Sequence, residues 1–274
     1  MSYEVETADV EYRREGGKPL LARLYRPRGA GPFPGVVEVH GGAWTLNDRT
    51  TNAPIDLPLA ESGVVVLAID FRMPPEARYP TSICDVNYAV RWLKHHARDF
   101  GVRPDQVGGL GTSSGGHQIA LSTLRPRDPD YSALPIPGAA TDASLAFLAL
   151  CWPISNPLAR YRMAKANGNS RLVQAHDAYW PDEAAMEDGN PQLILERGEA
   201  KTLPPALLLQ GTHDDNVTPD MADRFAAAYG QAGGRIDLHK FEGQPHAFVG
   251  RDPAAPASVK AIAAIVDFVR KQTS

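Results

Sequence analysis

The sequence predicts an α/β fold, a mostly parallel central sheet with helices on both faces, and three observations carry that expectation. GVVEVHG (35–41) and GVVVLAID (63–70) are β-branched runs that lack the polar alternation of a half-exposed strand. That is the pattern of strands buried on both faces of a parallel sheet. Such runs alternate with helical periodicity: in SICDVNYAVRWLKHHARDF (82–100), Ile83, Val86, Val90 and Leu93 share one face. Finally, EVETADVEYRR and PLLARLYRPR read as two early strands around a turn at Gly16-Gly17, an antiparallel pair ahead of the β-α units.

The remaining elements follow the same alternation. QVGGLG (106–111) is a short strand, and a helix is expected to begin within GTSSGG (111–116). SLAFLALCW (144–152) and ALLLQG (206–211) are buried strands. DMADRFAAAYGQAG is a helix, RIDLHKFEG a strand and SVKAIAAIVDFVRKQ a terminal helix. Residues 153–203 break the pattern: they hold prolines, glycines, asparagines and aromatics with weak periodicity. Structureless loops of that length are uncommon in compact domains. The stretch is therefore expected to be a cap-like insertion with short helices of its own, covering one end of the sheet within a single domain spanning 1–274.

Composition narrows the function. A chain of 274 residues that is 43% hydrophobic can bury a sizeable core, and its formal charge of −4 gives no strong field for nucleic acid or an anionic membrane. Cys84 and Cys151 are far apart in apolar surroundings and read as buried thiols, not as a disulfide framework or a metal site. MSYEVETADVEYRR has no basic segment followed by an apolar run, and no apolar stretch approaches a membrane span. A cytoplasmic protein with no membrane association is expected. The oligomeric state is open, a homodimer being compatible with the sequence.

The chemistry centres on GTSSGG. A G-x-S-x-G between strand and helix is a nucleophile elbow, in which flanking glycines let the two elements close around a strained turn. Centring on Ser113 places Gly111 and Gly115 correctly; centring on Ser114 puts Thr112 where the first glycine belongs. Ser113 is therefore the candidate nucleophile. Its hydroxyl needs a base, and the base needs a carboxylate to fix its tautomer. ALLLQGTHDDNVTP ends a strand with Asp214 and Asp215, and IDLHKFEGQPHAF ends the next with His246. Loops after parallel strands gather at one sheet edge, so these groups can meet Ser113 there. Asp214 is preferred as the acid, with Asp215 the alternative. His117 falls in the helix after the elbow and is expected to point away; His95, His96, His213 and His239 are placed less well. VEVHGGAW supplies a glycine-rich turn whose Gly42 and Ala43 N–H groups, with that of Ser114, are expected to form an oxyanion hole, Gly41 being a further candidate. The Ser114 hydroxyl has no role in this scheme.

Four blocks in order, HGGAW (40–44), DFRMPPEARYPTSICDVNYAVRWL (70–93), GTSSGG and the pair GTHDDNV and GQPHAF, resemble the α/β-hydrolase superfamily. The similarity is to its hormone-sensitive-lipase-like bacterial carboxylesterase branch. The resemblance implies the α/β-hydrolase fold and a serine carboxylesterase needing no cofactor and no metal. It also implies Asp214 as the acid, three residues after the glycine that ends its strand. Two departures stand out: Ala43 replaces a third oxyanion-loop glycine, and GTSSGG replaces the common GDSAGG, neither of which removes a backbone donor. The chain has strands where that branch carries N-terminal cap helices, so the insertion is expected to take over their place. The tryptophan after the oxyanion loop also resembles kynurenine-pathway formamidases, which keeps an amidase or formamidase with the same triad as an alternative. A non-catalytic ligand-binding protein on this fold is a third reading. The expected partner is a small-molecule ester. Trp44, Trp152, Tyr179 and Trp180 are expected to line its pocket, with Tyr161 in the same stretch. That predicts soluble esters of short to medium acyl length, including aryl esters.

Overall fold

In the computed structural model of the chain, which describes residues 2–139 and 142–274, all strands join one eight-stranded sheet. Strands β1 (Val5–Glu15) and β2 (Lys18–Pro27) form the antiparallel pair. They turn at Gly16 and Gly17, both at positive φ, where a residue with a side chain would be strained. Strand β3 (Phe33–Val39) follows, then helix α1 (Ala53–Glu61) and β4 (Val65–Ile69). β2 pairs antiparallel with β4, which pairs parallel with β3. Helix α1 was not expected from the sequence. Its nine residues contain Pro54 and Pro58, which blur helical periodicity. Burial of Ile55, Leu59 and Ala60 against the sheet supplies what propensity does not.

The predicted helix over 82–100 is two helices, α2 (Thr81–His95) and α3 (Ala97–Phe100), separated at His96 and ended by Gly101 in the left-handed region. Strand β5 (Val102–Thr112) leads into α4 (Ser114–Leu124), followed by α5 (Pro129–Ser132) and β6 (Leu148–Cys151). Residues 153–203 then hold α6 (Pro157–Ala166), α7 (Ser170–Tyr179), α8 (Glu183–Asp188) and α9 (Pro191–Glu196). Each begins with a side-chain cap: Asn156, Asn169, Asp182 and Asn190 accept hydrogen bonds from the N–H groups of Ala159, Leu172, Ala185 and Leu193. Caps of this kind are worth about 1 kcal/mol each. They mark helix starts that apolar spacing alone leaves unclear.

The chain closes with β7 (Ala206–Gly211), α10 (Pro219–Gln231), β8 (Ile236–Phe241), α11 (Phe248–Arg251) and α12 (Pro256–Thr273). The sheet order is β1-β2-β4-β3-β5-β6-β7-β8, parallel from β4 to β8. Helices α2, α4 and α10 bury one face, and α1, α11 and α12 the other, so the expected mostly parallel, doubly covered sheet is what the chain forms. Cys151 is buried as expected, whereas Cys84 is only partly so, and both thiols are free. No described helix is long and apolar enough to cross a membrane.

Candidate active site

The carboxyl ends of β3, β5, β7 and β8 deliver the site. β5 ends at Thr112 and α4 begins at Ser114, leaving Ser113 between them at φ +51° and ψ −116°. A non-glycine residue in that region stores on the order of 1–3 kcal/mol of strain. The flanking glycines make the turn sterically feasible. A Cβ on Gly115 would overlap the Val39 carbonyl, and one on Gly111 would press on the Gly115 backbone.

His246 lies beyond β8, and its Nε2 is 2.9 Å from Ser113 Oγ. Its Nδ1 is 2.8 Å from Asp214 Oδ2. Asp214 is buried and fully engaged: Oδ1 accepts from Asn216 N (2.9 Å) and Val217 N (2.8 Å), and Oδ2 also accepts from Gln210 Nε2 (2.9 Å). Burial alone would raise its pKa. The His246 hydrogen bond and charge, with the two backbone N–H groups, outweigh that and hold it below the ordinary carboxylate value. Asp215 is exposed and lies on the cavity wall, outside this relay. Gln210 was missed by sequence reasoning. It sits within the buried ALLLQG run, where a lone amide is the signal that something polar lies opposite.

The loop after β3 runs through Gly42, Ala43 and Trp44 at φ +120°, +50° and +65°. Among the described residues, the N–H groups of Gly42, Ala43 and Ser114 meet no protein acceptor, as an oxyanion hole requires. Gly41 is different, and its candidacy is corrected: its N–H already donates to Thr112 Oγ1 at 2.9 Å. The Ser114 hydroxyl has a task the sequence did not disclose. It is buried and accepts from Trp44 N at 3.1 Å, tying the oxyanion loop to the start of α4.

Beside these groups lies a cavity of about 800 Å³, bounded by Gly42, Ala43, Ser113, Trp152 and His246 on the sheet side and by α6 and α7 above. Trp152 is on its wall, edge-on to His246. Trp44, Tyr179 and Trp180 are not, and that expectation is corrected. All three are fully buried in a separate cluster, with Trp44 stacked on Tyr179 at 5.1 Å and edge-on to Trp180 at 5.7 Å. The positive φ of Trp44 accompanies an indole turned inward, where Nε1 donates to His117 Nδ1 at 3.1 Å. Tyr179 finds Ser82 Oγ at 2.7 Å. Packing the insertion onto the body satisfies the polar tips of Trp44 and Tyr179, while the Trp180 indole N–H is buried with no acceptor among the described residues. Tyr161 is likewise buried and donates to Asp177. His117 points away from Ser113 and hydrogen-bonds the Gly189 carbonyl through Nε2; burial lowers its pKa to about 4, so it is neutral.

Arg160 on α6 is the other residue the sequence did not single out. It is buried, holds the Asn216 carbonyl and side chain, reaches His176 Nε2 and lies over the Trp44 ring. It thereby connects the insertion to the Asp214 loop and to the oxyanion loop together. Among the described residues there is no group of three His, Cys, Asp or Glu side chains placed to hold a metal ion.

Residues 36–250 match the profile of a family described as the alpha/beta hydrolase fold. The carboxylic ester hydrolase LipN of Mycobacterium tuberculosis is 30% identical over 254 residues, covering 89% of this chain and 65% of LipN. Esterase LipQ of the same organism is 26% identical over 97% of this chain and 62% of LipQ. This chain thus spans a little under two thirds of the length of these two relatives. Among solved structures, EstE1, a thermophilic carboxylesterase cloned from a metagenomic library, superimposes with a TM-score of 0.81 at 25% identity, covering 100% of this chain and 92% of EstE1.

Proposed function

The chain belongs to the α/β-hydrolase fold family, and from that premise we propose that it is a serine carboxylesterase acting on soluble esters through an acyl-enzyme. The observation that carries this reading is the unbroken relay from Ser113 Oγ through His246 to Asp214 beside three unoccupied backbone N–H groups. In this reading His246 Nε2 takes the Ser113 proton as Oγ attacks the ester carbonyl. The N–H groups of Gly42, Ala43 and Ser114 receive the developing oxyanion. The imidazolium, oriented by Asp214, then protonates the departing alkoxide. Water repeats the sequence in reverse: it gives a proton to His246, attacks the acyl carbonyl, and Ser113 leaves reprotonated. Nothing in these steps draws on a metal or an organic cofactor.

The substrate reading rests on the cavity. Trp152 offers one aromatic wall beside Ser113, while Asn47, Thr51, Asn169, Gln174 and Asn216 make much of the remaining surface polar. Apolar side chains, Leu46, Ile55, Leu172 and Val249 among them, share that lining with the polar ones, a mixture that favours short to medium acyl groups over a long lipid chain. The ester-hydrolase names of the relatives favour esters over formamides. The complete relay weighs against a ligand-binding protein without turnover.

The test is kcat/KM across p-nitrophenyl esters from acetate to palmitate, with N-formylkynurenine alongside. A maximum at short to medium chains and a pre-steady-state burst of p-nitrophenol are expected. A maximum at palmitate would remove the cavity argument. A formamide preferred by about 10², roughly 2.7 kcal/mol in transition-state binding, would move the protein to the amidase class, and no turnover of any substrate would leave only the binding reading.

A further inference from the structure

Behind the oxyanion loop lie two carboxyl groups that the chemistry above does not use. Glu38 is on β3, two residues before the loop begins, and Asp56 is on α1; both are completely buried. Glu38 Oε1 accepts from Asn52 Nδ2 at 2.6 Å. Glu38 Oε2 and both Asp56 oxygens find no donor among the described residues. Two ionised carboxylates left this way would carry a large desolvation penalty and repel each other. The arrangement is stable only when the acids keep protons. Among the described residues no cation acts on either acid, and the titratable neighbours that sense the pair are the Tyr25 hydroxyl from β2, itself beside Arg23, and the Cys151 thiol from β6. The helices covering this face, α11 and α12, present Phe248, Val249, Ala261 and Ile265.

Asn52 connects the pair to the site. The same Nδ2 that donates to Glu38 donates to Thr112 Oγ1 at 3.0 Å, so both its hydrogens are committed. Thr112 Oγ1 also accepts from Gly41 N at 2.9 Å. Thr112 precedes the candidate nucleophile, and Gly41 precedes the candidate donor Gly42. The path Glu38–Asn52–Thr112–Gly41 therefore ties the elbow to the oxyanion loop through three side chains and the Gly41 backbone N–H.

We propose that Glu38 is a positioning residue for the oxyanion hole, competent while it is neutral, that fixes Gly41 through Asn52 and Thr112. This rests on the hydrolase reading of the site. Ionisation of Glu38 would place a negative charge beneath the strand that leads to the developing oxyanion, opposing the charge that the N–H donors are set to receive. Burial pushes the Glu38 pKa up to about 8, against a smaller lowering by Asn52. Burial and the Glu38 charge push Asp56 well above the carboxylate range too.

The experiment is the pH dependence of kcat and KM for p-nitrophenyl butyrate from pH 6 to 10, with thermal unfolding followed at each pH. In the wild type, kcat is expected to fall on the alkaline side with a midpoint near 8 while KM stays nearly constant. Glu38→Gln keeps an oxygen for Asn52 and cannot ionise, so its kcat should stay level through that range. Glu38→Leu loses the anchor and should lower kcat about tenfold at every pH, less than deletion of a whole oxyanion donor. Unfolding gives a second readout independent of turnover. An acid whose folded pKa exceeds its unfolded value binds more protons when folded, so stability falls as pH rises from about 4.5 to about 8. That component should vanish in Glu38→Gln. An alkaline limb unchanged in Glu38→Gln, or a wild-type kcat flat to pH 10, overturns the proposal while leaving the hydrolase intact. A wild type that neither turns over esters nor reacts at Ser113 with a fluorophosphonate overturns the hydrolase reading and this positioning role with it.

Discussion

Ser113→Ala is expected to lower kcat by about 10⁴- to 10⁶-fold, the range for loss of a nucleophile that works as a unit with its base. KM should change little, because the methyl group leaves the cavity walls and the three N–H donors in place. The variant should also be at least as stable as the wild type. Ser113 Oγ serves only His246 among the described residues, while the strained φ of +51° persists with either side chain. Ser114→Ala is the matched control. Its N–H survives, but its hydroxyl no longer accepts from Trp44 N, so the oxyanion loop loosens at one point. A loss of about tenfold in kcat is the expected scale, well below removal of an oxyanion donor itself. Both follow from steady-state kinetics on one ester together with mass-spectrometric detection of a phosphonylated serine. An active Ser113→Ala and a dead Ser114→Ala would place the elbow one residue later.

The sheet and the relay residues were legible in the sequence because each leaves a local signature. β-branched runs mark buried strands; the elbow glycines mark a turn that no side chain can enter, as Gly115 against the Val39 carbonyl illustrates. His246 and the paired aspartates stand just beyond strand ends, where topology brings separate loops together. What escaped notice depends on contacts with no sequence periodicity. Trp44, Tyr179 and Trp180 look like pocket aromatics, since a large ring near a catalytic loop suits either a wall or a core. Burial of all three in one cluster decides for the core, with hydrogen bonds to His117 and Ser82 satisfying Trp44 and Tyr179. Gln210, Arg160 and the Ser114 hydroxyl act by holding other groups, and such roles are set by three-dimensional neighbours. The two prolines of α1 hid a helix whose stability comes from packing, and with it the position of Asp56 beside Glu38.

Asp214→Asn is expected to cost on the order of 10⁴ in kcat, whereas Asp215→Asn should retain most activity. The reason lies in the donors around Asp214. Its Oδ1 is held by the N–H groups of Asn216 and Val217, so an asparagine there must keep its carbonyl oxygen on that side. The amide nitrogen then takes the place of Oδ2, facing Gln210 Nε2 and His246 Nδ1. Gln210 would be left donor to donor. His246 would escape the same conflict by moving its proton to Nε2, the nitrogen that faces Ser113 Oγ. In that tautomer it can accept nothing from the serine, and the base is lost although every side chain is in place. Asp215 offers a contrast one residue away, exposed on the cavity wall while His246 Nδ1 pairs with Asp214. Asp214→Asn also changes stability against pH. The folded pKa of Asp214 lies below its unfolded value, so it contributes stability above the ordinary carboxylate range that is lost as pH falls through the folded pKa. Asp214→Asn should therefore flatten the acid side of the Tm profile. Activity lost in Asp215→Asn and kept in Asp214→Asn would transfer the orienting role to the exposed carboxylate and contradict the relay.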